Sequence, residues 1–217
     1  MKNSIKILGL ILLIIVTSSF KNNNHSKNFD YGHVKKGVYF NDFFGFNIEL
    51  PEDWVVQSKE QTENLANSGR KLVIGDNKNL KAIIEASEIN TANLLIAFQY
   101  ELGSPVDYNP SIMIIAENIK NAPGIKNGSD YLYQAKRLIQ QTQLKYEYLS
   151  EKFDLEKINE VEFYKMNTRV NYLDLDIKQE YYSTVLNGFS LNFIISYISD
   201  DQKEVLISSI NSLTFNN

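Results

Sequence analysis

The chain has 217 residues, no cysteine, and 22 basic against 26 acidic side chains, which gives a formal net charge of −4. The missing cysteine excludes disulfides, thiolate metal sites, cysteine nucleophiles and a lipoprotein anchor. The acidic balance, without any basic run, excludes nucleic acid as a partner, because clustered Lys and Arg supply most of the affinity for phosphate backbones.

The first residues have the pattern of an export signal. Residues 1–19 read MKNSIKILGLILLIIVTSS, with two lysines, an apolar run from Ile7 to Val16 and a small polar exit, the order typical of a secretory signal peptide. The apolar run rises about 15 Å as a helix, half of a ~30 Å bilayer core. We therefore favour a cleaved signal over a retained anchor. The mature protein is expected in the periplasm or outside the cell, with no stable membrane span after cleavage.

The next segment predicts a linker. Residues 20–36, FKNNNHSKNFDYGHVKK, are polar, rich in Asn and without hydrophobic periodicity, which is typical of a flexible tether. The folded part is then expected to be a single domain spanning 37–217. A chain of this size can bury its own apolar core without disulfides.

The domain opens with a predicted hairpin. In FGFNIELPEDW, residues 44–54, apolar side chains alternate with polar or small ones up to Leu50, the period of a strand with one buried face. Pro51 ends the strand, since it cannot donate to a sheet ladder. Trp54 is expected to fold back over the end of the core.

Helices and strands follow. Ser58 and Gln61 form a capping box that predicts a helix ending near Asn67, where Gly69 breaks it. A second helix is expected over about 79–87. Two apolar runs, 93–102 and 111–119, predict paired central strands.

The second half predicts one long helix, a meander and a final helix. Ser129 or Asp130 is expected to cap the helix over 130–144, which carries an amphipathic stripe. Strands are predicted at about 145–153, 160–172, 176–186 and 189–198, and Asn187-Gly188 indicates a type I′ turn between the last two. A capping box at Ser199 and Gln202 starts the last helix. This order predicts an α+β fold, an antiparallel β-sheet with helices packed on its faces.

Both ends of the domain resemble the PsbP-like family. GFNIELPEDW is similar to the family's opening strand, which is followed by proline and tryptophan. The segment 160–215 is similar to its closing part, with a Y-x-T-x-x-N-G hairpin and a capped helix ending in S-L-x-F. The resemblance implies an α/β/α sandwich, shared with a Ran-binding nuclear import factor. It also implies a non-enzymatic accessory or binding module, as in extrinsic subunits and assembly factors of photosynthetic complexes.

No catalytic constellation is evident in the sequence. His25 and His33 both lie in the predicted tether, where a general base would have no fixed partner. Asp174 and Asp176 are two residues apart and suit a Ca²⁺ ligand pair, although a solvated bend explains them better. We therefore expect no enzyme activity, no metal and no cofactor.

Tyrosines are the one compositional excess, with 13 in the chain. Five on predicted strands offer an amphipathic surface for a protein partner, although half-buried sheets also favour tyrosine: Tyr164, Tyr172, Tyr181, Tyr182 and Tyr197. The leading hypothesis is an exported, non-enzymatic accessory or binding protein of the bacterial cell envelope. The alternative is a lipid or small-molecule carrier with a pocket between helices and sheet. An exposed tyrosine patch favours the first, and an apolar cavity of some hundreds of Å³ favours the second.

Overall fold

A computed structural model describes residues 29–87 and 90–216, apart from the side chains of residues 86 and 87. The predicted signal peptide, 1–19, and the first part of the predicted tether lie outside these residues. Within the described ranges, no helix has both the length and the apolar character to cross a membrane.

Twelve strands and four helices make up the described part of the chain. The strands are β1 (His33–Lys35), β2 (Val38–Asn41), β3 (Phe46–Glu49), β4 (Val55–Val56), β5 (Thr91–Phe98), β6 (Ser111–Asn118), β7 (Tyr146–Leu149), β8 (Asp154–Ile158), β9 (Val161–Tyr172), β10 (Leu175–Leu186), β11 (Phe189–Tyr197) and β12 (Thr214–Phe215). The helices are α1 (Lys59–Ile74), α2 (Lys78–Ser87), α3 (Gly128–Ile139) and α4 (Asp200–Asn211).

The strands form two antiparallel sheets. The large sheet has the order β4-β5-β6-β11-β10-β9-β7, with β8 pairing β9, and the small sheet has the order β1-β2-β3-β12. One face of the large sheet packs against α1, α2 and α3 in a first core around Leu65, Ile84 and Leu132. The other face packs against the small sheet and α4 in a second core around Phe46, Phe193 and Leu206.

The predicted helix–sheet–helix sandwich is wrong. Of the residues that the structure describes, strands hold 40% and four short helices hold 27%, so the fold is more β-rich than an α/β/α sandwich. The reason is that a second sheet packs on the face where a helix layer was expected, through Tyr39, Phe46 and Ile48. That sheet is completed by Thr214 pairing with Asn47, a contact between the two ends of the domain.

The folded structure includes residues before Gly37. β1 lies within the segment predicted as a tether, and it pairs with β2 through His33↔Phe40 and Lys35↔Val38. Phe29 packs against Phe43 and Phe189, with ring centroids 4.9 and 5.6 Å apart. This N-terminal segment is therefore part of the fold from Phe29 onward.

Several local predictions are confirmed. Ser58 and Ser199 each accept a hydrogen bond from the backbone N–H three residues on, and Gln61 and Gln202 complete the two capping boxes. Asn187 and Gly188 have φ of 54° and 79° in the hairpin between β10 and β11, which is the conformation that a type I′ turn requires. The pairing of β5 with β6 also follows the prediction.

Other local predictions were wrong. Gly69 does not end α1, which continues to Ile74 with Gly69 buried, because the absence of a side chain suits a packed helix face. Asn127, and not Ser129 or Asp130, caps α3, which ends at Ile139. Strand β8 was not predicted, because its residues lie in the gap between the strands predicted at 145–153 and 160–172.

Candidate functional site

The five predicted tyrosines do not form one surface. Tyr181, Tyr182 and Tyr197 are only 0, 2 and 4% exposed. Tyr181 belongs to the first core, whereas Tyr182 and Tyr197 belong to the second core on the opposite face of the large sheet. Tyr164 and Tyr172 are half-buried and pack against two different apolar clusters. The structure therefore places these side chains mainly in the interior.

Two of them hold a buried carboxylate. Tyr182 donates its hydroxyl hydrogen bond to Glu180 Oε2 at 2.6 Å, and Tyr197 donates to Oε1 at 2.7 Å. Lys203 of α4 lies 2.8 Å from Oε1 of the same carboxylate. Charge-assisted bonds of this kind are stronger than neutral ones, so the cluster joins α4 to the large sheet.

The electrostatics of this cluster follow from its geometry. Burial alone would raise the pKa of Glu180, but the hydrogen bonds from Lys203, Tyr182 and Tyr197 outweigh it and lower the pKa below its ordinary value. Burial raises the pKa of Tyr182 and Tyr197, and the bonded Glu180 raises both further. The carboxylate is thus ionised and both hydroxyls are protonated at neutral pH.

A groove of about 300 Å³ beside this cluster is charge-balanced. Its lining includes four cations, Lys165, Arg169, Lys178 and Lys203. Lys165 lies within 4 Å of the Glu156 carboxylate, and Arg169 lies within 4 Å of the carboxylates of Glu147 and Asp176. Lys178 and Lys203 lie within 4 Å of the carboxylates of Asp200 and Glu180, respectively. Paired cations offer little attraction to an anionic ligand, so this groove does not define a site.

The acidic pair that sequence reasoning considered for Ca²⁺ lies in a hairpin. Leu173 and Asp174 have φ of 51° and 63° in the turn between β9 and β10. Asp176 lies 3.6 Å from the Arg169 side chain and is engaged in an ion pair. In the described part of the chain, no group of three or more His, Asp or Glu residues is arranged to hold a metal ion.

A second cavity lies at the junction of β1, α1 and β5. It has a volume of about 430 Å³, within the 300–1,000 Å³ that ligand pockets usually have. The lining residues come from the N-terminal segment, β2, the β4–α1 connection and the first half of β5. They are Tyr31, Gly32, His33, Val34, Tyr39, Val56, Gln57, Lys59, Thr62, Glu63, Thr91, Ala92, Asn93, Leu94 and Leu95.

The cavity exists because β4 is much shorter than β5. β4 pairs only with Phe98 and Ala97, and the Gln57 backbone N–H adds one bond to Ile96 O at 2.9 Å. The chain then enters α1 at Ser58, so β4 covers none of the first half of β5. Residues 91–95 therefore have no partner on β4 and form a wall of the cavity.

A β-bulge shapes that wall. The register of β5 against β6 shifts between Asn93 and Leu95. Because of the extra residue, Leu94 and Leu95 both pack with the second core, although neighbouring residues of a regular strand face opposite sides. Bulges are enriched beside functional sites, where they re-aim side chains.

The opening of the cavity is lined by exposed apolar and ionic residues. Tyr31, Val34 and Val56 line it and are among the exposed large apolar residues of the described chain. Lys59 and Glu63, which carry opposite charges, are the ionic residues of α1 at the same opening. The Lys59 ammonium lies 5.7 Å from the centre of the Tyr31 ring.

Two buried acceptor oxygens on residues that line this cavity lack protein partners. Gln57 Oε1 and Asn93 Oδ1 are buried and make no hydrogen bond to any residue in 29–87 or 90–216. Gln57 as a whole is only 7% exposed. Buried polar groups in native proteins are nearly always satisfied, by protein, by ordered water or by a ligand. Both atoms have almost no accessible surface, so they lie within the wall and do not face the open space of the cavity.

The wall formed by the N-terminal segment is held in place. Tyr39 donates its hydroxyl to Tyr31 O at 2.8 Å, and Asn41 Nδ2 donates to Asp30 O at 3.1 Å. Burial raises the pKa of Tyr39, so its hydroxyl remains a donor at neutral pH. The segment that was predicted to be a tether thus supplies Tyr31 and Val34 to the candidate site.

Sequence reasoning missed this site for identifiable reasons. The cavity is built from three separate segments of the chain, and one of them was interpreted as linker. One signal was present, because Asn93 begins the otherwise apolar run NLLIAF. A polar amide in a strand that is otherwise apolar indicates an irregular position, and Asn93 stands at the bulge of β5.

Comparisons with known proteins assign no relative. No protein-family model matches the chain. A search of curated proteins also finds no match.

Proposed function

We propose that this chain is an exported protein that binds a small amphipathic molecule in the cavity between β1, α1 and β5. The observation that carries the proposal is the cavity itself, about 430 Å³ in volume, with mainly apolar walls supplied by three segments of the chain. Pockets of this kind, mostly apolar with a few placed polar groups, are typical of ligand sites.

This proposal takes up the alternative hypothesis from the sequence. The leading hypothesis, a protein-binding accessory module, depended on exposed tyrosines that are found mainly inside the protein. A protein partner in the envelope stays a prediction, with no surface assigned to it. The cavity lies at the free edge of the large sheet, beside the start of α1, and not beneath the main helix layer.

Export is the second element of the proposal. It rests on residues 1–19, where two lysines are followed by an apolar run and then by small polar residues, as in a secretory signal peptide. A binding protein in the periplasm or outside the cell could sequester or carry a molecule that is poorly soluble in water. Binding alone needs no catalytic group, in keeping with the expectation of a non-enzymatic role.

A fluorescence titration tests the proposal. The probe is N-phenyl-1-naphthylamine, a small amphipathic molecule that fluoresces strongly in apolar surroundings. We expect saturable enhancement with one site per chain. In Val34→Trp the larger side chain would narrow the mouth of the cavity and weaken probe binding at least ten-fold.

The matched control is Val205→Trp on α4. Val34 and Val205 are 39 and 44% exposed, and Val205 does not line the cavity. The control should bind the probe as the unmodified protein does. Absence of saturable binding, or equal effects of both substitutions, would contradict the proposed function.

A further inference from the structure

We infer that the ligand of this cavity is an amphipathic anion, with a carboxylate head group at Lys59 and an apolar body along the wall that β5 supplies. The inference rests on the proposed function and names the chemical class of the ligand. Lys59 lines the opening of the cavity together with the exposed apolar side chains of Val34 and Val56. A positive charge beside an apolar surface matches the two ends of such a ligand.

The Lys59 ammonium is held at the cavity by an aromatic ring. Its Nζ lies 5.7 Å from the centre of the Tyr31 ring, and both residues line the cavity. A cation within about 6 Å of an aromatic ring is attracted to the face of the ring. Tyr31 is held in turn, because its carbonyl accepts the Tyr39 hydroxyl at 2.8 Å. Lys59 is exposed to solvent, so a ligand head group at the opening can reach its charge.

No carboxylate of the described chain neutralises Lys59 at close range. None of the ion pairs within 4 Å in residues 29–87 and 90–216 includes Lys59. The four cations of the groove beside Glu180 differ, since each of them has a carboxylate partner. A cation without such a partner keeps its Coulomb attraction for an incoming anion.

Glu63 is the acidic residue at the same opening, and it lies one turn further along α1. Lys59 is the first residue of α1, so the positive end of the helix dipole adds to its charge and not to that of Glu63. His33 also lines the cavity, and its imidazole ring has a nitrogen that donates a hydrogen bond. These groups favour an anion over a cation. Glu63 should weaken the binding of an anion, and its removal should strengthen it.

The walls of the cavity account for the apolar body of the ligand. Ala92, Leu94 and Leu95 line the cavity from β5, and Val56 lines it from β4. Contact of an aliphatic or aromatic group with these side chains removes apolar surface from water on both partners, which favours binding. The apolar contacts therefore provide affinity, and the charge of Lys59 selects the head group.

A competition experiment separates head groups by charge. Octanoate, 1-octanol and octylammonium share one chain length, and each displaces N-phenyl-1-naphthylamine from the purified protein at neutral pH and constant salt concentration. We expect octanoate to bind about three- to five-fold more tightly than octylammonium, the ratio that one exposed ion pair typically contributes. The affinity for 1-octanol measures the contribution of the uncharged chain.

Three substitutions locate the effect in the ratio of octanoate affinity to 1-octanol affinity. Lys59→Gln should lower this ratio about three- to five-fold, and Glu63→Gln should raise it. Lys71→Gln is the matched control, because it removes the same charge from the last turn of α1, away from the cavity. Lys71 lies about 18 Å along the helix from Lys59, about two Debye lengths at physiological salt. This control should leave the ratio unchanged.

The outcomes separate the inference from the proposed function. If octylammonium binds as tightly as octanoate or more tightly, the inference is overturned, while displacement of the probe by 1-octanol keeps the binding function. The inference is also overturned, and the binding function again stands, if Lys59→Gln retains the full ratio with its fold intact by circular dichroism. If no probe binds the unmodified protein, both the inference and the proposed function fail.

Discussion

Lys203 of α4 lies 2.8 Å from the buried Glu180 carboxylate of β10. The Lys203 side chain is partly exposed, whereas the Glu180 side chain is almost fully buried. The ion pair therefore links the C-terminal helix to the middle of the large sheet, on the face that carries the second core.

Removal of the cation should destabilise the fold. Lys203→Met leaves the buried Glu180 charge with two tyrosine donors and no cation, and we expect the free energy of unfolding to fall by about 2 kcal/mol. Urea unfolding followed by circular dichroism measures this difference. Lys178→Met is the control, because its contact with Asp200 is longer, at 3.9 Å, and more exposed. Equal losses in both variants would contradict the role given to the buried pair.

The same carboxylate predicts a pH dependence. The pKa of Glu180 is lower in the folded protein than its ordinary value, so the unfolded chain binds its proton first as the pH falls. Its contribution to stability is complete above the unfolded pKa of about 4.3 and is lost as the pH falls through the folded pKa. Glu180→Gln should therefore lose less stability than the unmodified protein between neutral and acidic pH. Parallel stability curves for the two proteins would refute this assignment.

The N-terminal segment should support both stability and binding. Phe29→Ala removes a half-buried ring that packs against Phe43 and Phe189, and we expect a loss of about 2 kcal/mol in the free energy of unfolding. Binding of N-phenyl-1-naphthylamine should also weaken, because Phe29 anchors the segment that carries Tyr31 and Val34. Tyr133→Ala, at an exposed aromatic residue of α3, serves as the control. If the N-terminal segment were a flexible tether, Phe29→Ala would reduce the free energy of unfolding and probe binding no more than Tyr133→Ala does.

Gly128 should not tolerate a side chain. A Cβ atom at Gly128 would overlap the backbone carbonyl of Ser183 in β10, whereas one at Gly124 would meet nothing within 4 Å. Gly128→Ala must push α3 away from the sheet, and we expect a cost of about 1–3 kcal/mol. Gly124→Ala should be close to neutral. Thermal unfolding of both variants measures the difference. Equal melting temperatures would contradict the close packing of α3 against β10.

Local features were predictable because short stretches encode them. The capping boxes at Ser58 and Ser199 and the Asn187-Gly188 turn depend on residues within four positions of each other. The buried stripe of α3 follows from the helical period, and Tyr131, Leu132 and Ala135 are all fully buried. These are the features for which sequence and structure agree.

The layer architecture was not predictable in the same way. The small sheet depends on β12 pairing with β3, between Thr214 and Asn47, and on β1 in a segment without apolar periodicity. Nothing local in either stretch identifies its partner. The opening strands were interpreted as part of one sheet, and the helix layers assigned to both faces followed from that error.

The candidate site depends on the same non-local contacts. Val34, Gln57 and Asn93 meet only because β1 folds over the edge that β4 leaves open. The number of tyrosines suggested a surface for a partner. A strand in a sheet that is covered on both faces, however, can bury tyrosine on either side. Tyr181 and Tyr182 do so on opposite sides.

Mapping the bound probe by nuclear magnetic resonance tests the central claim most directly. Backbone amide shifts of the ¹⁵N-labelled protein are followed during titration with N-phenyl-1-naphthylamine. We expect the largest changes at Val34, Gln57 and Asn93, around the cavity. Changes centred instead on the groove beside Glu180 and Lys203, or no saturable changes at all, would contradict a ligand site between β1, α1 and β5.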